Sequence, residues 1–236
     1  MARYDDGFTI IETALFLAVS SMLAVTLLVG TSMAIQRQQY RDSVQSFAGF
    51  LRDQYSRVIN VENDRTRRDS CPISGAGSGS DRGQSDCVIV GRYIETAGPA
   101  NGSDGRVYDV YPIYALQTGG GWRYAFRAQD KTSYEVNWGA RTRLAQQGRD
   151  EARLSIIMYR DPQTSQLLIR TDSRRLTNTT LAKAITDTDL SDTSVRYQIC
   201  VYDDDWLTGE RQSVFLNRYA GSSDAVTIEQ ATGGCR

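Results

Sequence analysis

The stretch DDGFTIIETALFLAVSSMLAVTLLVG, Asp5 to Gly30, decides the fold because most of it is one long apolar run. After the two aspartates at its start, the run contains a single carboxylate. From Thr13 to Gln36 none of the 24 residues is charged. As a helix this segment is about 36 Å long, enough to cross the hydrocarbon core of a bilayer, about 30 Å thick. Glu12 stands at its start with no Lys, Arg or His beside it. The sequence therefore predicts a membrane-crossing helix whose one carboxylate needs a partner.

The same helix is predicted to continue outside the membrane. No proline occurs before Pro72, and beyond the uncharged segment apolar residues recur at spacings of three and four. These residues are Val44, Phe47, Leu51, Tyr55 and Val58. The polar residues Arg37, Gln38, Gln39, Arg41 and Asp42 mark the exit from the membrane. We expect a transmembrane half over 8–36 and an amphipathic half over 37–62 whose apolar stripe packs on a sheet.

The remainder, residues 63–236, is predicted to be a β-rich head domain. A stretch rich in Arg, Ser, Gly and Asp, from Asp64 to Asp86, predicts a loop. After it come nine runs rich in Val, Ile, Tyr and Phe: CVIVGRYIE, GRVYDVYPIYAL, WRYAFRA, SYEVNW, ARLSIIMYR, QLLIRT, VRYQICVYD, QSVFLNRY and AVTIEQ. Turns are predicted at TGGG and RDPQTSQ, and LAKAITDTDLSD is a candidate short helix. The fold class is α+β, a long N-terminal α-helix packed on a twisted antiparallel β-sheet.

Composition excludes several function classes. The chain has no histidine, so triads, Cys-His pairs and two-histidine zinc motifs are ruled out. Neither G-x-x-x-x-G-K-[ST] nor G-x-G-x-x-G occurs, and the formal net charge is -1. Carboxylates and hydroxyls alone do not define a catalytic pair, so we do not expect an enzyme and expect no catalytic residues.

The four cysteines are Cys71, Cys87, Cys200 and Cys235, with no C-x-x-C pair among them. Beyond a membrane segment, an even number at loop positions indicates disulfides in an oxidising compartment. Three pairings are possible in principle. We favour Cys71 with Cys87 and Cys200 with Cys235, since each bridge closes a local loop.

The hexapeptide GFTIIE, Gly7 to Glu12, follows a short polar leader and opens the apolar helix. It resembles the prepilin signature shared by type IV pilins and the pseudopilins of type II secretion. The resemblance implies a pilin-like fold and cleavage of the leader, residues 1–7, after Gly7 by a membrane prepilin peptidase. It also implies methylation of the new N-terminus at Phe8, and filament assembly through the helices.

That resemblance supplies a partner for Glu12. Cleavage after Gly7 would create a positive amine on Phe8, four positions upstream and accessible to a neighbouring subunit. Pairing this amine with Glu12 of another helix would fix the axial register, and low dielectric strengthens the attraction. Gly7 itself has no side chain, which lets a protease approach the backbone.

Two residues depart from the pattern of many major pilins: Val29 replaces a helix-kinking proline and Ser21 replaces a glycine. Both favour a minor pilin or a pseudopilin, and the C-terminal segment loosely resembles minor pseudopilins of the H and FimT kind. The count of Arg3 before the helix against Arg37 and Arg41 after it opposes a simple positive-inside orientation. A generic signal-anchor, or a secretory peptide cleaved near Ser32–Ala34, is the alternative interpretation.

Two other groups of charged residues have functional alternatives. The acidic turn YDDDWLTGE contains the weak calcium candidates Asp203, Asp204, Asp205 and Glu210, and Asp187, Asp189 and Asp192 form a second acidic group. Neither matches a calcium loop, so no cofactor or metal is expected, and Ca²⁺ is kept only as a weak candidate. Arginine side chains bind phosphate well, which makes DNA a possible partner. The candidates are Arg65, Arg67, Arg68, Arg141, Arg143, Arg174 and Arg175.

The sequence thus favours a structural subunit of a type IV pilus-like or type II secretion filament. Its expected partners are other pilin or pseudopilin subunits, the prepilin peptidase, the inner-membrane assembly platform and the membrane itself. We expect it to cross the cytoplasmic membrane once before assembly, with its head domain outside, and then to lie in an extracellular or periplasmic filament. The alternative is a minor pilin whose arginine face binds DNA or another surface.

Overall fold

The structure, a computed structural model, describes residues 9–60, 71–73, 87–98, 104–145, 153–186, 195–202, 211–219, 221 and 223–235. Helix α1, Ile10–Ile59, has 50 residues and is about 75 Å long. Thr9 caps it, because its hydroxyl accepts a hydrogen bond from the backbone N–H of Glu12 at 3.3 Å. The helix ends at Ile59, slightly before the predicted end at 62, and the N–H of the C-cap residue Asn60 donates to the carbonyl of Ser56.

The two halves of α1 have different surroundings. Between Ile10 and Ile35 every residue is exposed except the half-buried Ser20. From Tyr40 onward one side of the helix is buried, at spacings of three and four residues that place these side chains on one stripe. The stripe consists of Tyr40, Ser43, Val44, Phe47, Ala48, Leu51, Gln54, Tyr55 and Val58. The predicted change from an all-apolar helix to an amphipathic one is confirmed.

Two antiparallel sheets form the rest of the fold. The six-stranded sheet has the order β3-β2-β1-β6-β7, with β4 also paired to β2. Its strands are β1 Cys87–Thr96, β2 Val107–Thr118, β3 Gly121–Ala125, β4 Thr132–Glu135, β6 Ser155–Arg160 and β7 Leu167–Asp172. The four-stranded sheet has the order β10-β9-β8-β5. Its strands are β5 Arg141–Leu144, β8 Arg196–Tyr202, β9 Gln212–Asn217 and β10 Val226–Gln230.

The presence of two sheets corrects the expectation of a single one. Alternation of apolar residues marks a strand but does not say which strand it pairs with. Strand β5, Arg141–Leu144, was not expected, since its sequence RTRL looks like a polar cluster. Helix α2, Asn178–Thr186, begins three residues before the candidate helix segment, while 187–192 lie outside the described residues.

The head domain is built in layers around the buried stripe of α1. The stripe packs between the inner faces of the two sheets, against side chains such as Ile156 and Met158 on one side and Val214 and Leu216 on the other. The outer face of the six-stranded sheet is covered by α2, whose Leu181 and Ile185 are buried. The amphipathic half of α1 is therefore the centre of the main core.

Both disulfides pair as the sequence favoured. Cys71 is bonded to Cys87, at the start of β1, with a Cα–Cα distance of 6.0 Å. Cys200, on β8, is bonded to Cys235, with a Cα–Cα distance of 5.3 Å. The first ties the chain beyond α1 to the larger sheet, and the second ties the C-terminal turn to the smaller sheet.

Candidate membrane and assembly surface

The first half of α1 carries a continuous exposed apolar surface. Fourteen of its large hydrophobic side chains are exposed, from Ile10 at 86% to Met33 at 41%. An 18-residue window of the helix has a mean hydropathy of 2.1, and none of it is buried. Covering a side chain of this size stabilises by about 1.5–3 kcal/mol, so the whole surface amounts to tens of kcal/mol. The helix is long and apolar enough to span a membrane once.

Four hydroxyl groups in this half bond within the helix. Thr13, Ser21, Thr26 and Thr31 each donate to the carbonyl three residues earlier, at 2.9–3.0 Å. In hydrocarbon an unsatisfied polar group costs several kcal/mol, so this internal bonding lets the surface enter lipid or pack against another apolar helix. Helix α1 also continues without a break through Ser21 and Val29.

Glu12 lies in the first turn of α1, where its negative charge is favourable beside the positive end of the helix dipole. Its backbone N–H bonds to the cap Thr9, and the residue is exposed. Within the described part of the chain, its carboxylate has no ion-pair partner. Gly7 and Phe8 lie outside the described residues. The described helix begins at Ile10, so Gly7 and Phe8 precede it in the sequence.

Arg174 and Arg175 turn out to lie above a polar row on the outer face of the six-stranded sheet. Five side chains from five strands stand at one level of the sheet, because each is the cross-strand partner of the next. In order across the sheet they are Ser133, Asp109, Glu95, Ser155 and Asp172. We call this set the polar row. It places three carboxylates on one face, two of which, Glu95 and Asp109, are buried.

Each carboxylate of the polar row is paired with one cation from a loop. Lys131 Nζ lies 3.0 Å from Asp109, and Arg175 Nη2 lies 2.8 Å from Glu95. Arg174 holds Asp172 with two nitrogens, each 3.2 Å from a carboxylate oxygen. The Glu95 carboxylate raises the pKa of Arg175 and the hydrogen bond to Asp172 raises the pKa of Arg174. Burying carboxylates without such partners is costly, so these cations hold the row together.

Two tyrosine hydroxyls complete the environment of Glu95. Tyr93 donates to Oε2 at 2.6 Å and Tyr111 donates to Oε1 at 3.1 Å. Tyr93 in turn accepts from the backbone N–H of Leu176 at 2.9 Å, which ties the loop that carries Arg175 to the sheet. Burial raises the pKa of Tyr93, and the hydrogen bond to Glu95 raises it further. Both oxygens of Glu95 therefore have hydrogen-bond partners, and the network links the loop that carries Arg175 to the sheet.

The other arginine candidates do not gather with this pair. Arg143, on β5, is buried and donates to the carbonyl of Gly234 at 3.0 Å. Its guanidinium also lies 5.9 Å from the ring centroid of Tyr202. Arg141 lies on the same strand, in the four-stranded sheet, whereas Arg174 and Arg175 follow β7 of the six-stranded sheet. Arg65, Arg67 and Arg68 are outside the described residues. Within the part of the chain that the structure describes, the arginine candidates therefore do not share one face.

A basic cavity lies beside the polar row, between β7, α2 and the end of β9. Its volume is about 500 Å³. Arg174 and Arg175 line it, and so do three cations that the sequence did not single out, Arg170, Lys183 and Arg218. Asp172 is the one carboxylate among the described lining residues. Arg170 also donates to the carbonyl of Ala184 on α2. The cavity has the charge and size for an anionic group.

The calcium candidates cannot be placed, because residues 203–210 and 187–194 lie outside the described residues. Across the part of the chain that the structure describes, no group of three or more ligating side chains is arranged to hold a metal ion.

Sequence reasoning missed the polar row because its members are single polar residues inside apolar strands. Glu95 ends the run CVIVGRYIE and Asp109 interrupts GRVYDVYPIYAL. The one signal in the sequence was a charged residue on the buried side of a strand with alternating polarity. Such a residue indicates that a charge is buried, but it does not indicate which residue pairs with that charge. Arg175 lies 80 residues from Glu95 in sequence, which no local pattern can connect.

The chain was compared with protein-family models, with curated proteins and with solved structures, and none of them matches. The functional proposals therefore depend on the residues and geometry of this chain.

Proposed function

We propose that this chain is a structural subunit, a minor pilin or pseudopilin, of a type IV pilus-like or type II secretion filament. It inserts once into the cytoplasmic membrane, is cleaved after Gly7 by a prepilin peptidase, and polymerises through the exposed half of α1. The head domain is displayed outside the membrane. Other subunits and the inner-membrane assembly platform are its partners.

One observation carries this proposal: a single unbroken helix has an exposed apolar half and a half buried in the head domain. The exposed half buries nothing against its own head, while the buried half fixes the head to the helix. Such a surface must be covered either by lipid or by the same surface of other copies. A helix that moves from the membrane into a filament is covered first by lipid and then by the same surface of other copies.

Glu12 gives the assembly its register in this proposal. A carboxylate at bilayer depth costs about 2.5–3.5 kcal/mol on insertion scales and is retained where it has a partner. The amine created on Phe8 of an incoming subunit is that partner. Pairing one amine with one carboxylate permits a single axial offset between helices, because sliding by one turn separates the charges by about 5.4 Å.

Glu12→Ala and Glu12→Gln, expressed with the filament machinery, test this role through recovery of the subunit in the sheared filament fraction. We expect incorporation to fail while membrane insertion stays normal. Thr13→Val is the matched control, since Thr13 is the next residue and its hydroxyl bonds only within the helix. Normal incorporation of both Glu12 variants would remove the register role.

A second function, capture of DNA or another anionic surface, is favoured by the basic cavity beside the polar row. Lys183 and Arg174 are the residues to change, as Lys183 lines the cavity on α2 and the side chain of Arg174 is 81% exposed. Lys183→Gln with Arg174→Gln should weaken salt-sensitive DNA retention and reduce the salt slope by about one for each phosphate that is no longer neutralised. Arg123→Gln, on edge strand β3, is the control. Unchanged retention would leave the structural role alone.

A further inference from the structure

Trp138 is an exposed aromatic side chain on a domain that otherwise hides its large hydrophobic residues. It is 61% exposed. Among the described residues, every other exposed large hydrophobic side chain lies on α1 between Ile10 and Ile35. An isolated exposed hydrophobic residue is ordinary on a protein surface, so its position and backbone decide whether this one has a role.

The backbone holds Trp138 in place rather than leaving it on a loose loop. It lies in the short 3-10 turn Asn137–Gly139, between Val136 and Ala140, which are both 1% exposed and belong to the main core. The N–H of Val136 donates to the carbonyl of Arg106 at 2.8 Å. The flanking residues are thus fixed, and the tryptophan between them projects from a rigid base.

Trp138 also adopts a backbone conformation that tryptophan disfavours. Its φ is 59° and its ψ is 22°, in the left-handed region, and Gly139 follows with a φ of 68°. A bulky residue held there is strained, and asparagine or glycine would fill the position at a lower energetic cost. The turn therefore does not require an indole for its own stability.

The turn lies near the end of the head domain that faces the membrane segment, about one helical turn beyond Tyr40, whose hydroxyl accepts from the backbone N–H of Gln212. Ser43 Oγ donates to the carbonyl of Asn137 at 2.9 Å, which places the turn at the level of Ser43 on α1. That level is seven residues beyond Gln36, the last residue of the uncharged segment, or about 10 Å along the helix. The headgroup layer of a bilayer is about 5–7 Å deep on each side. The remaining distance is within the length of an indole side chain.

Tryptophan is enriched at this depth in membrane proteins, since its ring is apolar and its N–H finds a polar partner among headgroups and water. Arg37 and Arg41 are exposed on α1 at the same end of the domain. Cations next to a membrane surface are attracted to anionic phosphates. The tryptophan and the arginines therefore suit the same partner, a phospholipid headgroup layer.

We propose that Trp138 anchors the head domain to the membrane interface while the subunit waits for assembly. The inference rests on the membrane insertion in the proposed function. The head is fixed to α1 along the buried stripe, so the whole subunit can tilt in the bilayer when the spanning helix is its one contact with lipid, and Trp138 adds a second contact close to the hydrocarbon boundary. The anchored head would hold α1 upright and in one rotational setting. A second copy of the chain is the competing occupant of this surface.

Fluorescence quenching by brominated phospholipids tests the anchor directly in the full-length chain, reconstituted in vesicles. The chain has three tryptophans, and none lies in the uncharged segment, so Trp122→Phe with Trp206→Phe leaves Trp138 as the one emitter. We expect lipids brominated near the carbonyl end of the acyl chain to quench Trp138 about twofold more than lipids brominated near the chain terminus. The matched control keeps Trp122, on edge strand β3, and should not be quenched by either lipid.

The outcomes separate this inference from the function on which it depends. If the protein floats with the vesicles and Trp138 is quenched no more than Trp122, the interfacial anchor is wrong and the membrane-spanning helix stands. If the protein does not float with the vesicles, both are wrong. If Trp138 emission shifts with the ratio of protein to lipid, irrespective of bromination, the occupant is a second copy and the proposal is overturned.

Discussion

Arg175 Nη2 lies 2.8 Å from Oε1 of Glu95, and the two side chains differ greatly in exposure, at 65% for the arginine and 3% for the carboxylate. The pair therefore joins a loop at the surface to the buried centre of the polar row. This geometry gives Arg175 a structural task that competes with binding a phosphate from outside. The geometry predicts that the main effect of replacing Arg175 is on the stability of the head domain rather than on ligand binding.

Arg175→Ala should destabilise the head domain by about 1–3 kcal/mol, since it leaves the buried Glu95 carboxylate with tyrosine hydroxyls alone. Arg174→Ala is the matched control, because Arg174 is highly exposed and pairs with the more accessible Asp172. Its replacement should change stability much less, as solvent screens such a pair. Urea unfolding of the full chain in detergent measures both. Equal destabilisation by the two variants would show that Glu95 does not depend on Arg175.

Stability should fall as the pH rises from about 10 toward 12. Burial raises the pKa of Tyr111, Tyr114 and Tyr124 to about 12, with the nearby carboxylates of Glu95, Asp130 and Asp161 adding to the effect. The folded state keeps these protons while the unfolded state releases them near pH 10. The stabilisation is therefore complete below pH 10 and is lost as the pH passes through the raised values. Unfolding midpoints, followed together with tyrosinate absorbance, check this; midpoints that stay constant to pH 12 would contradict it.

Phe47 and Phe16 provide a matched test of the two halves of α1. Phe47 is fully buried, with its ring centroid 5.3 Å from that of Tyr108, whereas Phe16 is 70% exposed. Phe47→Ala should cost the head domain about 3–5 kcal/mol. Phe16→Ala should change head-domain stability by less than about 0.5 kcal/mol. Thermal unfolding of both variants in one detergent compares them, and a large destabilisation by Phe16→Ala would mean that the first half packs on the head.

Both disulfides should stabilise the head domain by constraining the unfolded chain. The bridged residues are 16 and 35 apart in sequence, which corresponds to about 3 and 4 kcal/mol in the chain-entropy account. Replacing Cys200 and Cys235 by serine should thus cost slightly more than replacing Cys71 and Cys87. Alkylation of the purified protein without reductant should label no cysteine, and labelling of any of the four would contradict the pairing.

The parts of the fold that are local in sequence were predictable, and the parts that depend on distant contacts were not. The helix follows from a spacing of three and four residues, and the disulfides follow from short loops. The division into two sheets depends on which strands pair, as between Ile199 on β8 and Val214 on β9, and alternation within a strand does not contain that information.

The candidate site also has features that were visible in the sequence and features that depend on distant contacts. Glu12 and the apolar half of α1 were visible in the sequence, because a carboxylate in a long uncharged segment is conspicuous. The cavity was not, since Arg170, Lys183 and Arg218 come from two strand regions and a helix that only the tertiary fold brings together. Arg174 and Arg175 were identified as a cluster, but their acidic partners lie on sheet strands that sequence reasoning treated as apolar.

The N-terminal mass of the protein recovered from membranes, with and without a co-expressed prepilin peptidase, tests the central claim most directly. The account predicts a species that begins at Phe8 and is heavier by one methyl group when the peptidase is active, and an intact leader when it is absent. A chain that still begins at Met1 in the presence of active peptidase would contradict the account and leave a membrane-tethered head domain without a filament role.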